Sequence, residues 1–370
     1  MNYFPTYLAL GNAFCNRKVE LKRIIYDLKG NSPILLISPR RYGKTSLALK
    51  GFEQIKWPYS HIDLYKALSE EDIERLILNG IGQLLGKLES TPKKLLQLAS
   101  NFFASMQIKV VLEKAGIQLE FNQNRSSPKD MILKSLEKLH ALARKKKKRV
   151  ILFFDEFQVV GEIMNDHTIE AAIREAAQKS THVAYAFSGS NRHLMEQMFH
   201  DRKRPFYKLC DQIKLDRIHA EEYEKYIQIA SRKTWNKKLT QKSLEIIFEL
   251  TELHSFYVNK LCSLLFQMDN APTEKEVYST WHQFVLENKS SVERELDLLS
   301  INQRRLLIFL ATHKKSNELF SRKITQMINL TSSSVQRAIE PLIEKDYVFI
   351  DHKKFYRILD PLIKSVLEVV

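Results

Sequence analysis

Three cysteines in 370 residues, Cys15, Cys210 and Cys262, are isolated and odd in number, which argues against a disulfide framework; without a Cys-x-x-Cys spacing they also argue against a zinc site. No His-Glu-x-x-His run is present either. Glycine and proline are scarce at ten each, which leaves few helix breakers and predicts long helices outside any sheet. No stretch reaches the ~18–20 uncharged apolar residues that a bilayer span requires. The opening Met1-Asn2-Tyr3-Phe4-Pro5-Thr6 lacks a basic region and a cleavable apolar core. The expectation is a cytoplasmic protein with no membrane partner, built of two or three domains at ~100–200 residues each. Acidic residues are the minority charge, 43 against 58 Lys and Arg; the formal net charge of +15 attracts polyanions but says nothing of fold.

What is present is a phosphate loop. The apolar run Ile34-Leu35-Leu36-Ile37 delivers Ser38-Pro39-Arg40-Arg41-Tyr42-Gly43-Lys44-Thr45-Ser46 to a helical pattern. Backbone N–H groups of such a loop and the positive end of the following helix cradle an anion. Lys44 reaches the outer phosphates and the Thr45 hydroxyl takes Mg²⁺. The departure from G-x-x-x-x-G-K-[ST] is Ser38 at the first glycine, a position that often needs φ > 0.

A second segment supports the first. Val150-Ile151-Leu152-Phe153-Phe154 shows no polar alternation, as in a strand of a parallel sheet buried on both faces, and it ends in Asp155-Glu156. Asp155 at the strand tip would hold Mg²⁺ through its water shell, and Glu156 would orient or deprotonate an attacking water. Ligands of open α/β sheets bind at these carboxyl ends.

These residues resemble the prokaryotic and archaeal-type AAA-like P-loop ATPases of the STAND class, and the likeness runs nearly end to end. Phe14-Cys15-Asn16-Arg17-Lys18-Val19-Glu20-Leu21 is similar to the family's F-x-x-R-x-x-E-L helix start beside the adenine, which implies a nucleotide role for Arg17. Asp155-Glu156-Phe157-Gln158 matches its D-E-F-Q, and Phe187-Ser188-Gly189-Ser190-Asn191 resembles the strand end that presents a polar sensor, Ser190 or Asn191, to the γ-phosphate. Arg204-Pro205-Phe206-Tyr207 resembles R-P-F-Y, and Thr251-Glu252-Leu253-His254-Ser255-Phe256-Tyr257-Val258 resembles the lid motif T-x-G-H-P-Y-Y-V, with Leu253 and Ser255 in place of Gly and Pro. The resemblance implies bound ATP or ADP with Mg²⁺ and a lid contact from His254. It also implies an arginine, Arg204 or the nearby Arg202, that reaches a neighbour's γ-phosphate in a nucleotide-dependent homo-oligomer. The alternative for Arg204 is packing beside Pro205 and Phe206 or pairing with Asp201.

Along the chain, a helix near 17–29, the phosphate-loop strand, its helix and the alternating His61-Ile62-Asp63-Leu64-Tyr65 form a βαβ unit. Residues 66–140 read as a mostly helical insertion, opened by Ser69-Glu70-Glu71-Asp72 and interrupted by a short hairpin, Ile108-Lys109-Val110-Val111 with Ile117-Gln118-Leu119-Glu120-Phe121. Gly80-Ile81-Gly82 lies inside a helical pattern and is no dinucleotide fingerprint. A helix near 168–179 and strands at Val183-Ala184-Tyr185-Ala186-Phe187 and Gln212-Ile213-Lys214-Leu215 complete an ATPase core over 1–218, with an all-helical lid over 219–299. The basic run Arg144-Lys145-Lys146-Lys147-Lys148-Arg149 suits a solvated helix C-terminus better than a nucleic-acid patch.

Residues 300–370 change pattern. Helices over 302–313, 322–328 and 332–345, followed by Tyr347-Val348-Phe349-Ile350 and Phe355-Tyr356-Arg357-Ile358, read as a winged helix-turn-helix. Its third helix, capped by Thr331 or Ser332, would expose Ser333, Gln336 and Arg337, with Lys353 and Lys354 on the wing, as candidates for double-stranded DNA. A protein-contacting or regulatory role for this module stays open. The expected fold is therefore an AAA-like P-loop NTPase with a parallel α/β sheet, a helical lid and a C-terminal winged helix. The expected function is an ATP-binding, ATP-hydrolysing switch; the alternative is a DNA-binding regulator that uses nucleotide as a structural ligand.

Overall fold

The computed structural model describes residues 3–113, 116–121, 127–164, 166–313 and 318–368. Two compact units result, one of Arg17–Arg40 with Lys44–Leu215, the other of Met1–Asn16, Arg41–Gly43 and Asp216–Val370.

The first unit is an α/β layer structure. Helix α1 (Lys18–Lys29) precedes strand β1 (Ile34–Ile37) and helix α2 (Lys44–Ile55); β2 (Tyr59–Asp63) follows, two residues earlier than its alternation suggests. An insertion of α3 (Glu70–Leu88), α4 (Pro92–Phe103), the hairpin β3 (Ile108–Glu113) and β4 (Gly116–Phe121), and α5 (Pro128–Lys145) leads to β5 (Val150–Asp155). Helices α6 (Gln158–Ile163) and α7 (Thr168–Lys179), β6 (Val183–Gly189), α8 (Arg192–His200) and β7 (Asp211–Lys214) close the unit. The sheet order is β2-β5-β6-β1-β7, and every pairing is parallel. The strands β1, β5 and β6 are buried at every residue, in keeping with sequences that are apolar up to Asp155 and Ser188 at their ends, whereas the edge strand β2 alternates.

Strand order decides what meets at the carboxyl edge. β1 and β5 are not neighbours; β6 lies between them, with Leu36 opposite Ser188 and Phe154 opposite Phe187. The tip of β6 is thereby set between the phosphate loop and Asp155. Beneath it, Phe154, Phe157, Phe187, Phe199 and Phe206 form one aromatic cluster, with Phe157 and Phe187 centroids 4.9 Å apart and Phe199 and Phe206 also 4.9 Å apart. Each such pair contributes about 0.5–1.5 kcal/mol beyond area burial. In α3, Ser69 caps the helix by accepting from the Asp72 amide. A Cβ at Gly80 would lie 2.5 Å from Ile62 of β2, so this glycine serves close helix–strand packing.

The second unit is helical with a small wing. Its helices are α9 (Ala220–Trp235), α10 (Gln241–Thr251), α11 (Ser255–Leu265) and α12 (Glu274–Asp297), then α13 (Ile301–Thr312), α14 (Arg322–Met327) and α15 (Ser332–Glu344). The antiparallel wing, β8 (Val348–Ile350) with β9 (Tyr356–Ile358), precedes α16 (Pro361–Glu368). Thr273 with Glu276 and Ser300 with Gln303 form complete capping boxes that start α12 and α13. One apolar cluster runs from Tyr257 and Leu261 of α11 through Trp281 of α12 to Leu306, Val335 and Ile363, so helices α11 and α12 share a core with the winged helix. Residues Tyr3 and Phe4 join it: Phe4 packs 4.7 Å from Phe266 and 5.5 Å from Tyr226. No helix among the described residues is long and apolar enough to cross a membrane. Cys15, Cys210 and Cys262 form no disulfide with one another.

Candidate functional site

The loop from β1 to α2 takes its left-handed turn at Arg41 (φ +65°) and Gly43 (φ +88°), and Ser38 is not among the positive-φ residues. Serine therefore fits at the first motif position without strain, contrary to the expectation that this position calls for glycine. The conformational demand falls three residues later, where a non-glycine residue in this region costs about 1–2 kcal/mol. The Lys44 ammonium is buried within the loop, 3.0 Å from the Ser38 carbonyl and 3.2 Å from that of Pro39.

At the tip of β5 the Asp155 carboxylate is saturated. Its Oδ2 accepts from the Thr45 hydroxyl at 2.7 Å and lies 3.0 Å from His61 Nε2; its Oδ1 accepts from the Ser188 hydroxyl and, at 3.1 Å, from the Glu156 amide. Burial works to raise the Asp155 pKa, but the hydrogen bonds from His61, Ser188 and Thr45 prevail and hold it below the ordinary carboxylate value. Glu156, in a left-handed conformation at φ +52°, turns the opposite way. Its Oε2 accepts from Ser190 at 2.7 Å and from the Gln158 amide, and Ser190 accepts in turn from Arg40 Nε at 3.4 Å. Lysine, hydroxyl and two carboxylates with distinct environments are thus assembled at one sheet edge, an arrangement fit to bind a phosphate–divalent cation pair and to orient a water.

Of the two sensor candidates, Ser190 reaches this network. Asn191 instead caps α8, accepting from the Leu194 amide at 3.1 Å, with its amide 3.5 Å from Glu162. Arg204 lies among its own unit's side chains: Nη2 donates to Glu170 at 2.7 Å, and Nη1 lies 3.1 Å from His167 Nε2. It does not pair with Asp201's carboxylate, which accepts from the Lys203 amide. Arg17 sits at the start of α1 and pairs with Glu20 at 3.1 Å, and Ser46 is buried in the first turn of α2. His61, Ser188 and Gln158 are the site residues that sequence reading missed. Ser188 carried a signal, since it shares the period-two face of β6 with Ser190.

In the second unit, Arg41 lies 4.4 Å over the Phe256 ring, and buried Tyr42 meets the His254 ring edge-on at 4.8 Å. Burial, with Arg217 and Arg41 nearby, lowers the His254 pKa to about 3, so its imidazole is neutral; its Nδ1 finds no partner. Arg217 gathers the neighbourhood. It donates to the Glu252 carbonyl at 2.7 Å, to its carboxylate at 3.0 Å, to the Leu359 carbonyl at 3.0 Å and to the Tyr42 hydroxyl at 3.3 Å. Lys364 of α16 pairs with the same Glu252, and Tyr257 donates to Asp360 at 2.7 Å.

On the winged helix, Thr331 provides the cap of α15. Ser333, Gln336 and Arg337 are exposed along it, Gln336 donating to Glu340 at 3.1 Å and Arg337 to the Ser333 carbonyl at 3.4 Å. Lys353 and Lys354 are exposed in the turn between β8 and β9, where the Asp351 carboxylate accepts the Lys353 amide.

Comparison with known proteins agrees with this architecture. Residues 290–369 match the family described as "Probable winged helix domain". A Walker-type ATPase of Pyrococcus abyssi superposes over 100% of both chains, with a TM-score of 0.71 at 16% identity. The ORC2 protein of Aeropyrum pernix, solved as ADPNP–ADP complexes, covers 99% of this chain and 96% of its own, with a TM-score of 0.61 at 12% identity. The ORC1 protein of the same organism, solved with DNA, covers 96% and 93%, with a TM-score of 0.52 at 11% identity. A search of curated sequences finds no match. At these identities the likeness is one of fold: the chain has the P-loop NTPase fold of archaeal Walker-type ATPases, with a C-terminal winged helix domain.

Proposed function

We propose that this protein is an ATP-binding, ATP-hydrolysing switch of the STAND class whose winged helix acts as its effector module. The Thr45–Asp155 hydrogen bond carries the reading. By donating its proton to Asp155, the Thr45 oxygen keeps its lone pairs for a cation, and Lys44 sits in the same loop to meet the phosphates. The residues present thus fit Mg²⁺ and ATP: Thr45 and Asp155 for the cation, Lys44 and the amides of residues 38–46 for the phosphates. Bound Mg²⁺ would supply charge neutralisation on the phosphate oxygens. Glu156, braced by Ser190 and Gln158, positions or deprotonates the attacking water. Both ORC proteins with this fold were solved with ligands of the proposed classes, nucleotide and DNA, which supports the pairing of activities here.

A second reading, a DNA-binding regulator that holds nucleotide without turnover, draws on one observation: Gln158 and Ser190 both donate to Glu156 Oε2, which engages that oxygen's lone pairs. Calorimetry with ATP and steady-state phosphate release, each with and without duplex DNA, separate the two. Binding abolished by Lys44→Ala together with DNA-sensitive turnover supports the switch; binding without turnover supports the regulator; ATP affinity unchanged in Lys44→Ala removes both. Nucleotide-dependent self-association is proposed separately and is read by light scattering with and without ATP.

A further inference from the structure

His61 has no place in the phosphate-loop signature, yet it reaches the oxygen of Asp155 on which that signature depends. β2 and β5 pair in parallel with His61 opposite Phe153 and Asp63 opposite Asp155, so side-chain alternation puts His61 on the face of Phe153 and Asp155. The imidazole stacks on the Phe153 ring, with centroids 5.0 Å apart and planes 20° apart, which fixes its plane. Its Nε2 lies 3.0 Å from Asp155 Oδ2, the same oxygen that accepts from Thr45 at 2.7 Å. A carboxylate only accepts, so the proton of this bond is on His61 Nε2. Asp63, although directly opposite Asp155 in register, accepts the Tyr65 amide at 3.0 Å instead. The outer edge of His61 borders a cavity of about 230 Å³ that Lys66, Asn79 and Gln83 also line.

Two donors on one oxygen hold the carboxylate plane. Ser188 and the Glu156 amide hold Oδ1; of the two donors on Oδ2, the Thr45 hydroxyl rotates, whereas His61, locked by its stack, keeps its direction. We infer that His61 is a positioning residue for the divalent cation: its Nε2–H holds Asp155 in the orientation that carries the cation's shell, making the cation-dependent part of ATP affinity, and not the phosphate cradle, depend on residue 61. The inference rests on the nucleotide-site reading above. Partners of this kind, one step beyond a metal's own ligands, typically change metal affinity by about 10–100-fold.

Two substitutions divide the side chain into its parts. His61→Phe keeps the ring on Phe153 and removes the donor, whereas His61→Gln removes the ring and keeps an N–H near the Nε2 position. The dissociation constant of a fluorescent N-methylanthraniloyl-ATP is measured for full-length proteins in EDTA, in Mg²⁺ and in Mn²⁺. The expected result is that all three proteins agree within about twofold in EDTA, that His61→Phe loses about tenfold of the tightening produced by either cation, and that His61→Gln retains most of it. The reverse order, with His61→Phe normal and His61→Gln defective, would assign residue 61 to packing and overturn the inference. So would equal tightening in all three. The Lys44→Ala protein, run alongside, reports on the underlying site: nucleotide bound undiminished in EDTA by Lys44→Ala would refute the nucleotide-site reading itself, an outcome distinct from failure at residue 61.

Discussion

The Thr45 hydroxyl donates to Asp155 Oδ2 across 2.7 Å although 110 residues separate the two in sequence. This bond joins the first turn of α2 to the tip of β5 and leaves Glu156, the next residue, to face another set of partners. Adjacent carboxylates thereby acquire separate hydrogen-bond partners.

Glu156→Gln keeps the size of the side chain and its bonding to Ser190 while removing the carboxylate proposed as the base. ATP binding should persist by calorimetry, and the rate of phosphate release should fall at least ~10²-fold, as for other losses of a general base. Turnover equal to that of the unaltered protein would show that Glu156 takes no part in the chemistry.

Arg204 and Glu170 predict a stability effect with a pH signature. Glu170 is wholly buried, and burial raises its pKa to about 7 against the pull of Arg204. A carboxyl whose folded pKa exceeds its ordinary 4.5 binds more protons folded than unfolded between those values. Its contribution is full below about 4.5 and is lost as pH rises through about 7. Glu170→Gln should flatten the pH dependence of denaturant unfolding over that window. Arg204→Ala leaves the carboxylate uncompensated and should destabilise by about 3–5 kcal/mol once it ionises, and by less at pH 5. Restoration of ATPase activity on mixing Arg204→Ala with Lys44→Ala protein, without this unfolding phenotype, would instead show that Arg204 acts on a neighbour.

His254 predicts the opposite slope. Its folded pKa of about 3 lies under the ordinary 6.5, so the unfolded chain takes up the proton first. Stability from this group is complete above about 6.5 and drains away as pH falls towards 3. His254→Phe should remove that part of the acid sensitivity of unfolding. Identical pH profiles for the two proteins would place the sensitivity elsewhere.

For the winged helix, salt dependence is the diagnostic. If Lys353 or Lys354 contacts phosphate, its replacement by Ala should reduce the log–log salt slope of duplex DNA binding by about one. If Arg337 reads a base edge, its replacement should cost about 1–3 kcal/mol on the preferred sequence and leave non-specific binding nearly unchanged. Fluorescence anisotropy across a salt series measures both. DNA binding indifferent to deletion of residues 300–370 would assign the module to protein contact.

What the amino-acid sequence determined by itself is whatever is local. The strand, loop and helix over residues 34–46 and the apolar run ending at Asp155 were legible because each fits within a dozen or so residues and obeys one periodicity. The winged helix was legible for the same reason, down to the Thr331 cap and the two wing strands. The terminal helix α16 escaped notice because Pro361 opens it immediately after a strand, where proline reads as an ending. Tertiary structure alone decided the rest. That β6 lies between β1 and β5 brings Ser188 to Asp155 and Ser190 to Glu156; a different strand order would leave those hydroxyls without these partners. His61 joins Asp155 only through the register of β2 on β5, since a slip of one residue would turn it to the other face. Arg204 finds Glu170 on α7, 34 residues back, where a buried carboxylate in low dielectric outcompetes the nearby Asp201. Pairing across a sheet and burial of a charge are properties of neighbours in space, and no periodicity along the chain encodes which neighbours those are.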